Sequence, residues 1–455
     1  MAVSNDQPAL VGAKTPAKLT TLTAEHAGPA QRDLDKCVHC GLCLNACPTY
    51  RELGVEMDSP RGRIYQMNQV HNGAPISPAY IEHLDLCLAC RGCETACPSG
   101  VPYGRMIEAA RVQIRREAKQ SWAARFVKTL VFEHLLPSRT ALQFAGAALF
   151  LYQATDLQRF LRATRVLRLF GRLANIEALS PSAHIPFFYS KIGRTFPAIG
   201  AQRYRVAFLS GCIANVAFAR LNEATVRVLQ KNGCEVVIPA AQNCCGALHV
   251  HSGLELQAQM LARANIDAVL DEGPFDVIIT NAAGCGSTLK EYDYLLRNDS
   301  AYRGRANQFK SLMRDITEFL ASIPLNPDLG PIEAVATYQD SCHLAHGQQI
   351  RSAPRVLLKA IPSLVFREMR MPDLCCGSAG IYNVAQNEMA MRILEHKMEY
   401  IDETNASIIV TANPGCMLQL AAGARLYGDG QRVVHVIEML DQSYRNFETV
   451  SKKPS

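Results

Sequence analysis

The sequence predicts a multidomain protein of mixed α+β and α/β class. A helical N-terminal domain organised by two cysteine runs precedes a duplicated βαβαβ domain with parallel sheets. Three observations carry this. "CVHCGLCLNACP" begins at Cys37 and "CLACRGCETACP" at Cys87, so four cysteines recur at the same intervals and each run closes with proline. A sparser cysteine set, with a Cys-Cys-Gly tripeptide at its centre, occurs twice in the C-terminal half. Around that set, short apolar runs alternate with amphipathic stretches, the pattern of strands joined by crossover helices.

The 455 residues predict about three domains, at roughly 150 residues each. A composition that is 48% hydrophobic and 19% charged supplies buried cores and argues against disorder. The net charge of +6 fits docking on an acidic partner, an anionic membrane surface or an ordinary solvated exterior. No nucleic-acid partner is expected. The opening "MAVSNDQPALVGAKTPAKLT" lacks the apolar core of a secretory signal and reads as a polar, flexible arm. Without export, seventeen cysteines are better explained as metal ligands than as disulfides, and the odd total leaves one for another role. No transmembrane helix is evident. "FAGAALFLY" (Phe144 to Tyr152) is about half of the roughly 20 residues a bilayer requires. It is either a buried helix or, beside the basic amphipathic "QRFLRATRVLRLFGRL", an interfacial one.

Taken in order, residues 1–30 form the arm and 31–120 the domain of the dense runs. Residues 121–203 form a helical connecting region broken at "PSAHIPF" near Pro181. The first repeat spans 204–300 and the second 334–445. Cys212 is followed by Cys244-Cys245-Gly246 and Cys285, with gaps of 32 and 40 residues; Cys342 is followed by Cys375-Cys376-Gly377 and Cys416, with gaps of 33 and 40. Such agreement marks an internal duplication. "RVAFLSGC" and "AVATYQDSC" predict first strands, "CEVVIPA" and "SLVFREM" second strands, "FDVIITNAAGC" and "ASIIVTANPGC" third strands. "ELQAQMLARANIDAVL" and "EMAMRILEHKMEYI" predict amphipathic helices between them. The cysteines then fall at the carboxyl ends of strands, where open α/β folds build their sites.

The spacing C-x2-C-x2-C-x3-C-P is that of bacterial ferredoxins. Three thiolates on a tight loop reach three irons of one cubane, and the fourth, directed away, ligates the neighbouring cluster. The pattern assigns Cys37, Cys40, Cys43 and Cys97 to one [4Fe–4S] cluster. It assigns Cys87, Cys90, Cys93 and Cys47 to a second. Zinc sites usually offer two C-x2-C pairs rather than a run of four. Two cubanes sharing ligands form a relay for single electrons, and nothing in the runs offers a substrate pocket or a catalytic residue. Arg61, Arg63 and Arg91 either raise the cluster potentials or are ordinary solvated side chains.

Each repeat offers four thiols, and three readings stay open. They hold a further metal site, they are redox-active, or they are structural residues of a surface that binds a partner. The glycine after each cysteine pair permits the turn that two adjacent thiols need. Cys234 matches Leu364 by offset and is expected to be a buried thiol outside any site. His249 and His251 of "HVHSG" have no counterparts in "GSAGIYN" and are expected in a loop; His343, beside Cys342, is a weak ligand candidate.

"CVHCGLCLNACPTYRELG", "MDSPRGRIYQM", "CLACRGCETACPSGVPYG", "NCCGALHVHSG", "AGCGSTLKEYDYLL", "LCCGSAGIYN" and "IVTANPGC" together resemble the iron–sulfur subunits of glycolate dehydrogenase (glycolate oxidase), from about residue 31 to 440. The resemblance implies an electron-transfer subunit of a complex that oxidises glycolate to glyoxylate, with D-lactate as an alternative substrate. It further implies FAD-binding flavoprotein subunits as partners, a quinone or other membrane carrier as acceptor, and a peripheral place on the cytoplasmic face of the inner membrane. Related subunits serve lactate-utilisation and glycerol-3-phosphate dehydrogenases. Heterodisulfide reductase subunits, a catalytic alternative, carry a further cysteine three residues after the last of each repeat; here Thr288 and Gln419 stand there. No G-x-G-x-x-G fingerprint follows a strand and no G-x-S-x-G occurs, so this chain is expected to lack the substrate-oxidising site.

Overall fold

A computed structural model describes residues 28–118, 122–164, 166–170, 177 and 179–451. The expected arm lies outside the described residues except for its last three.

The N-terminal domain is a cage of short helices, chiefly Pro48–Leu53, Pro60–His71, Pro78–Asp85 and Tyr103–Glu117. The first three begin on proline, whose fixed φ suits the first helical position and whose missing N–H costs nothing there. Ser59 and Ser77 cap the second and third by accepting from Gly62 N and Tyr80 N. Leu34, Ile64, Met67, Leu84, Met106 and Ile107 fill the centre, with Cys87 and Cys93 in the same core.

The connecting region is helical over Trp122–Thr129, Arg139–Ala154 and Leu157–Thr164. Phe144 to Tyr152 lies within Arg139–Ala154, but it is not a buried helix. Of that helix only Leu142 and Gly146 are buried, while Phe144 is 77% and Leu151 59% exposed. The cause is local. A Cβ on Gly146 would clash with Val216 Cγ1, so the glycine face lies directly on the first repeat, and Phe144 and Leu151 are turned the other way.

Each repeat is built on four parallel strands, and the first sheet gains a short antiparallel strand at its edge. Strands β1 (Thr195–Phe196), β2 (Tyr204–Phe208), β3 (Cys234–Val237), β4 (Val277–Thr280) and β5 (Met313–Asp315) form one sheet in the order β1-β3-β2-β4-β5. Strands β6 (Ala334–Tyr338), β7 (Leu364–Phe366), β8 (Ile408–Thr411) and β9 (Arg432–His435) form the other, in the order β7-β6-β8-β9. Apart from the short antiparallel β1, the two orders are the same. The registers repeat as well: Tyr204 faces Cys234 and Ala334 faces Leu364. Thr280 faces Asp315 and Thr411 faces His435.

Three strands per repeat are expected from the sequence, and four are found. The fourth is three or four residues long and runs straight into a helix, Ile316–Ser322 or Val436–Ser451. Both helices start on the same device: Thr317 N donates to Asp315 Oδ1 and Asp315 N to Glu318 Oε2, while Ile437 N donates to His435 Nδ1 and His435 N to Glu438 Oε2. One buried core, with Val206, Phe208 and Ile279 from the first sheet and Ala336, Tyr338 and Val410 from the second, joins the repeats.

Candidate metal and thiol centres

The two dense runs fold alike because the same positions turn left-handed. His39 and Gly41, two and four residues after Cys37, have φ of 55° and 85°; Ala89 and Arg91, two and four after Cys87, have 52° and 64°. This curls each run so that successive sulfurs return to one side. Only one of the four is glycine, so three side chains accept a conformation disfavoured for L-residues.

The eight thiols ring two adjoining cavities. Cys37, Cys40, Cys43 and Cys97 line the first, with Arg61, Ile64 and Tyr103. Cys47, Cys87, Cys90 and Cys93 line the second, with Arg63, Arg91 and Leu88. Cys93, Pro60 and Tyr103 border both. Burial pushes the Cys43 thiol up to about 11 and the Cys90 and Cys93 thiols well above the ordinary range. Burial favours the protonated thiol, and a bound cation reverses that preference. Among the described residues no three Cys, His, Asp or Glu side chains stand close enough to hold one metal ion. Thiols spread round a cavity suit a cluster of several irons, where each sulfur reaches its own iron.

Of the three arginines, Arg63 and Arg91 are not solvated. Arg63 is 1% exposed; its Nη1 points to Cys47 Sγ at 3.9 Å and donates to Thr49 Oγ1 at 3.1 Å. Its Nε donates to His83 O at 2.7 Å, and Asp58 lies 3.4 Å from Nη2. Arg91 pairs with Glu94 and Glu291 at 2.8 and 2.9 Å. Arg61, more open, pairs with Glu56 and donates to His39 O. Tyr103 Oη lies 3.6 Å from Cys87 Sγ and donates towards it.

The thiols of each repeat also converge. Cys212 and Cys244 Sγ are 3.5 Å apart. Cys244 with Cys245, and Cys245 with Cys285, are within hydrogen-bonding reach. Cys342, Cys375, Cys376 and Cys416 form the same chain of neighbours. Gly246 and Gly377 take φ of 81° and 88° after the cysteine pairs and lie against Ala258 and Ala390. Those two contacts align the helices Glu255–Leu270 and Asn387–Asp402, and seven positions beyond each alanine stand Asn265 and Lys397. Asn265 Nδ2 donates to Cys244 O. Lys397, buried, donates to Met371 O and Pro372 O, and burial lowers its ammonium to about 8 beside Cys376 and Cys375. The second repeat therefore carries an internal cation where the first has an amide. Sequence reasoning missed it, because an amphipathic pattern gives a lysine to the solvent.

Cys234 is fully buried in β3, opposite Tyr204, away from the thiol set. His249 and His251 lie in a helix, Ala247–His251, and not in a loop. His249 Nε2 meets Phe132 O at 2.8 Å, and His251 Nδ1 meets Glu108 Oε1 at 3.1 Å. His343 Nε2 is engaged by Ala89 O at 3.1 Å, and its ring lies 5.0 Å from that of His251. Gln419 is tied to Asn383 and Ala390 O.

Comparison with known proteins follows the same division. A 4Fe-4S dicluster domain matches residues 33–101, a cysteine-rich domain matches 206–290 and again 336–421, and the linker region of the glycolate oxidase iron–sulfur subunit matches 123–180. A probable glycolate oxidase iron–sulfur subunit of Bacillus subtilis is 42% identical over 90% of this chain and 93% of its own length. The glycolate oxidase iron–sulfur subunit of Escherichia coli is 32% identical over 94% and 98%. Lactate utilization protein A of Oceanobacillus iheyensis is 28% identical over 52% of this chain and 96% of its own length. With the N-terminal cysteine runs, the duplicated sheet domain and the linker all in place, the chain belongs to the glycolate oxidase iron–sulfur subunit family.

Proposed function

We propose that this chain is the electron-transfer subunit of a complex that oxidises glycolate to glyoxylate, with D-lactate as an alternative substrate, passing electrons from a partner FAD subunit to a quinone or another membrane acceptor. The observation that carries this is the pair of adjoining thiol-lined cavities with Cys93 and Tyr103 on their common border. Cys37, Cys40, Cys43 and Cys97 would hold one [4Fe–4S] cluster, and Cys87, Cys90, Cys93 and Cys47 the other. Bound there, such clusters accept and release electrons singly, which complements the two-electron chemistry of a flavin.

The chain's own residues set the conditions. The loops position the sulfurs, the core around Met67, Met106 and Ile107 keeps water away, and Arg63 supplies a buried positive charge at Cys47. The substrate-oxidising site belongs, in this reading, to the flavoprotein subunits. The units proposed are residues 31–120, a connecting region to 203, and two repeats, the first continuing beyond 300 to its fourth strand at Met313–Asp315. The proposal places the chain peripherally at the cytoplasmic face of the inner membrane. Among the described residues no helix is long and apolar enough to cross a bilayer.

For the repeats, the reading favoured is a further metal centre at Cys342, Cys375, Cys376 and Cys416. Lys397, buried beside Cys376 and Cys375, gives this set a compensating positive charge, where the matching position beside the first set holds Asn265. The test of the whole reading is substrate-driven bleaching. In the complex purified without oxygen, glycolate is expected to bleach the visible iron–sulfur absorbance and glycerol-3-phosphate to leave it unchanged. Bleaching by glycerol-3-phosphate alone would move the chain to another branch of the family.

A further inference from the structure

Three helices of the connecting region present apolar residues to solvent in stripes. In Trp122–Thr129, Trp122 and Phe126 are four apart and exposed; in Arg139–Ala154, Phe144 and Leu151 are seven apart and exposed, opposite the buried Leu142 and Gly146. In Leu157–Thr164, Leu157 and Phe160 are three apart and exposed, and no residue of that helix is buried. Spacings of three, four and seven place side chains on one face of a helix. Large aromatic side chains left open in this way, on three helices of one connecting region, mark a surface that something covers.

Charge identifies what covers it. Residues 122–177 contain eight Lys and Arg against three Asp and Glu, a net of +5, while the whole chain carries +6. Nearly all the net positive charge therefore sits on the one-eighth of the sequence that exposes these stripes. Arg159 stands beside Phe160 and is 85% exposed even while pairing with Asp156. A basic helix with a strongly segregated apolar face lies in the headgroup layer of an anionic bilayer, with its arginines at the phosphates and its aromatic rings at the acyl boundary. A protein partner of ordinary interface composition would not require the charge to be gathered here.

We infer that Trp122–Thr129, Arg139–Ala154 and Leu157–Thr164 form the membrane-docking face of this subunit, with anionic phospholipid as its ligand. The inference rests on the peripheral membrane location proposed above and adds the face that makes contact.

The experiment uses the full chain with its clusters reconstituted, and the complex beside it. Both are sedimented with vesicles of phosphatidylglycerol and phosphatidylethanolamine, and separately with phosphatidylcholine. Binding to the anionic vesicles, weakened several-fold by 0.5 M salt, is expected, with little to the neutral ones (roughly the salt dependence of exposed charges). Leu157→Glu with Phe160→Glu is expected to weaken anionic binding at least about tenfold, since two large apolar side chains are replaced by charges. That helix buries nothing, so iron content and glycolate-driven bleaching stay unchanged. Phe144→Glu with Leu151→Glu repeats the test on the second stripe, and Arg159→Glu on the charge. Absence of wild-type binding to anionic vesicles, or equal binding by the variants, overturns the inference. So does loss of the flavoprotein subunits from the complex of either double variant, which assigns the face to them. Failure of the electron-transfer reading is distinct, because it appears in iron content and bleaching without any vesicle.

Discussion

Cys90 packs against the small buried cluster that contains Cys375, with Cys342 at the same edge. A charge on Cys375 is among the effects that hold the Cys90 thiol high. Cys245 and Cys285 of the first repeat sit instead among their own helices, in a cluster that includes Tyr292 and Ala262. The second repeat is thus in contact with the second thiol cavity.

This contact predicts an asymmetry between two matching substitutions. Cys375→Ser is expected to change the paramagnetic spectrum and reduction of the cluster at Cys90, and to remove any metal beyond the N-terminal irons. Cys245→Ser is expected to leave that cluster's spectrum unchanged. Spectra of the two reduced variants, recorded side by side, check this; identical effects would contradict it.

The crossed ligands make a second prediction. Cys97 lies in the second run but lines the cavity of the first, and Cys47 does the reverse. Cys97→Ser should damage the cluster held by Cys37, Cys40 and Cys43, and Cys47→Ser the other. In each case iron falls from about eight towards about four per chain. Chemical iron analysis with spectra of the surviving cluster decides which was lost.

Arg63 gives a third. Its guanidinium is buried with Asp58 and points at Cys47 Sγ. Arg63→Gln removes a cation that stabilises added negative charge, so the potential of the cluster at Cys47 should fall. The substitution also leaves His83 as the remaining ionic partner of Asp58 among the described residues, and losing one partner of a buried pair costs about 3–5 kcal/mol. Redox titration and chemical denaturation measure the two effects separately.

A fourth concerns pH. Burial pushes Glu108 up to about 7, and its Oε1 meets the Nδ1 of His251, which burial lowers to about 4. Between these values both groups are neutral, and the carboxylic acid donates to the imidazole. Glu108 is raised above its unfolded value, so its favourable contribution is whole below about 4.5 and is lost as pH rises through about 7. Gln keeps a donor and does not ionise. Relative to the parent, Glu108→Gln should gain little at pH 4.5 and up to about 3 kcal/mol at pH 8. Denaturation midpoints across that range test the sign; a gain confined to acid would contradict it.

Much of this architecture is legible in the sequence because its signals are local. The spacing within Cys37–Cys47 and Cys87–Cys97 is enough to foresee paired thiol loops, and equal gaps disclose the duplication. What escaped depends on contacts far apart in the chain. β5 and β9 are three and four residues long and become strands only because β4 and β8 lie beside them. Arg63 looks like a surface arginine until His83 and Asp58 close over it. Lys397 fits the polar face of a helix by pattern, yet the second sheet's loop carbonyls at Met371 and Pro372 draw it inside. Hydropathy leaves Phe144 to Tyr152 open between a buried and an interfacial helix, and only the packing of Gly146 on Val216 reveals which face remains exposed.

The most direct measurement is iron content with low-temperature paramagnetic resonance on anaerobically reconstituted chain. The account predicts at least about eight irons per polypeptide and, after dithionite, the spectrum of two interacting [4Fe–4S] centres. A colourless protein with no signal on reduction would contradict it.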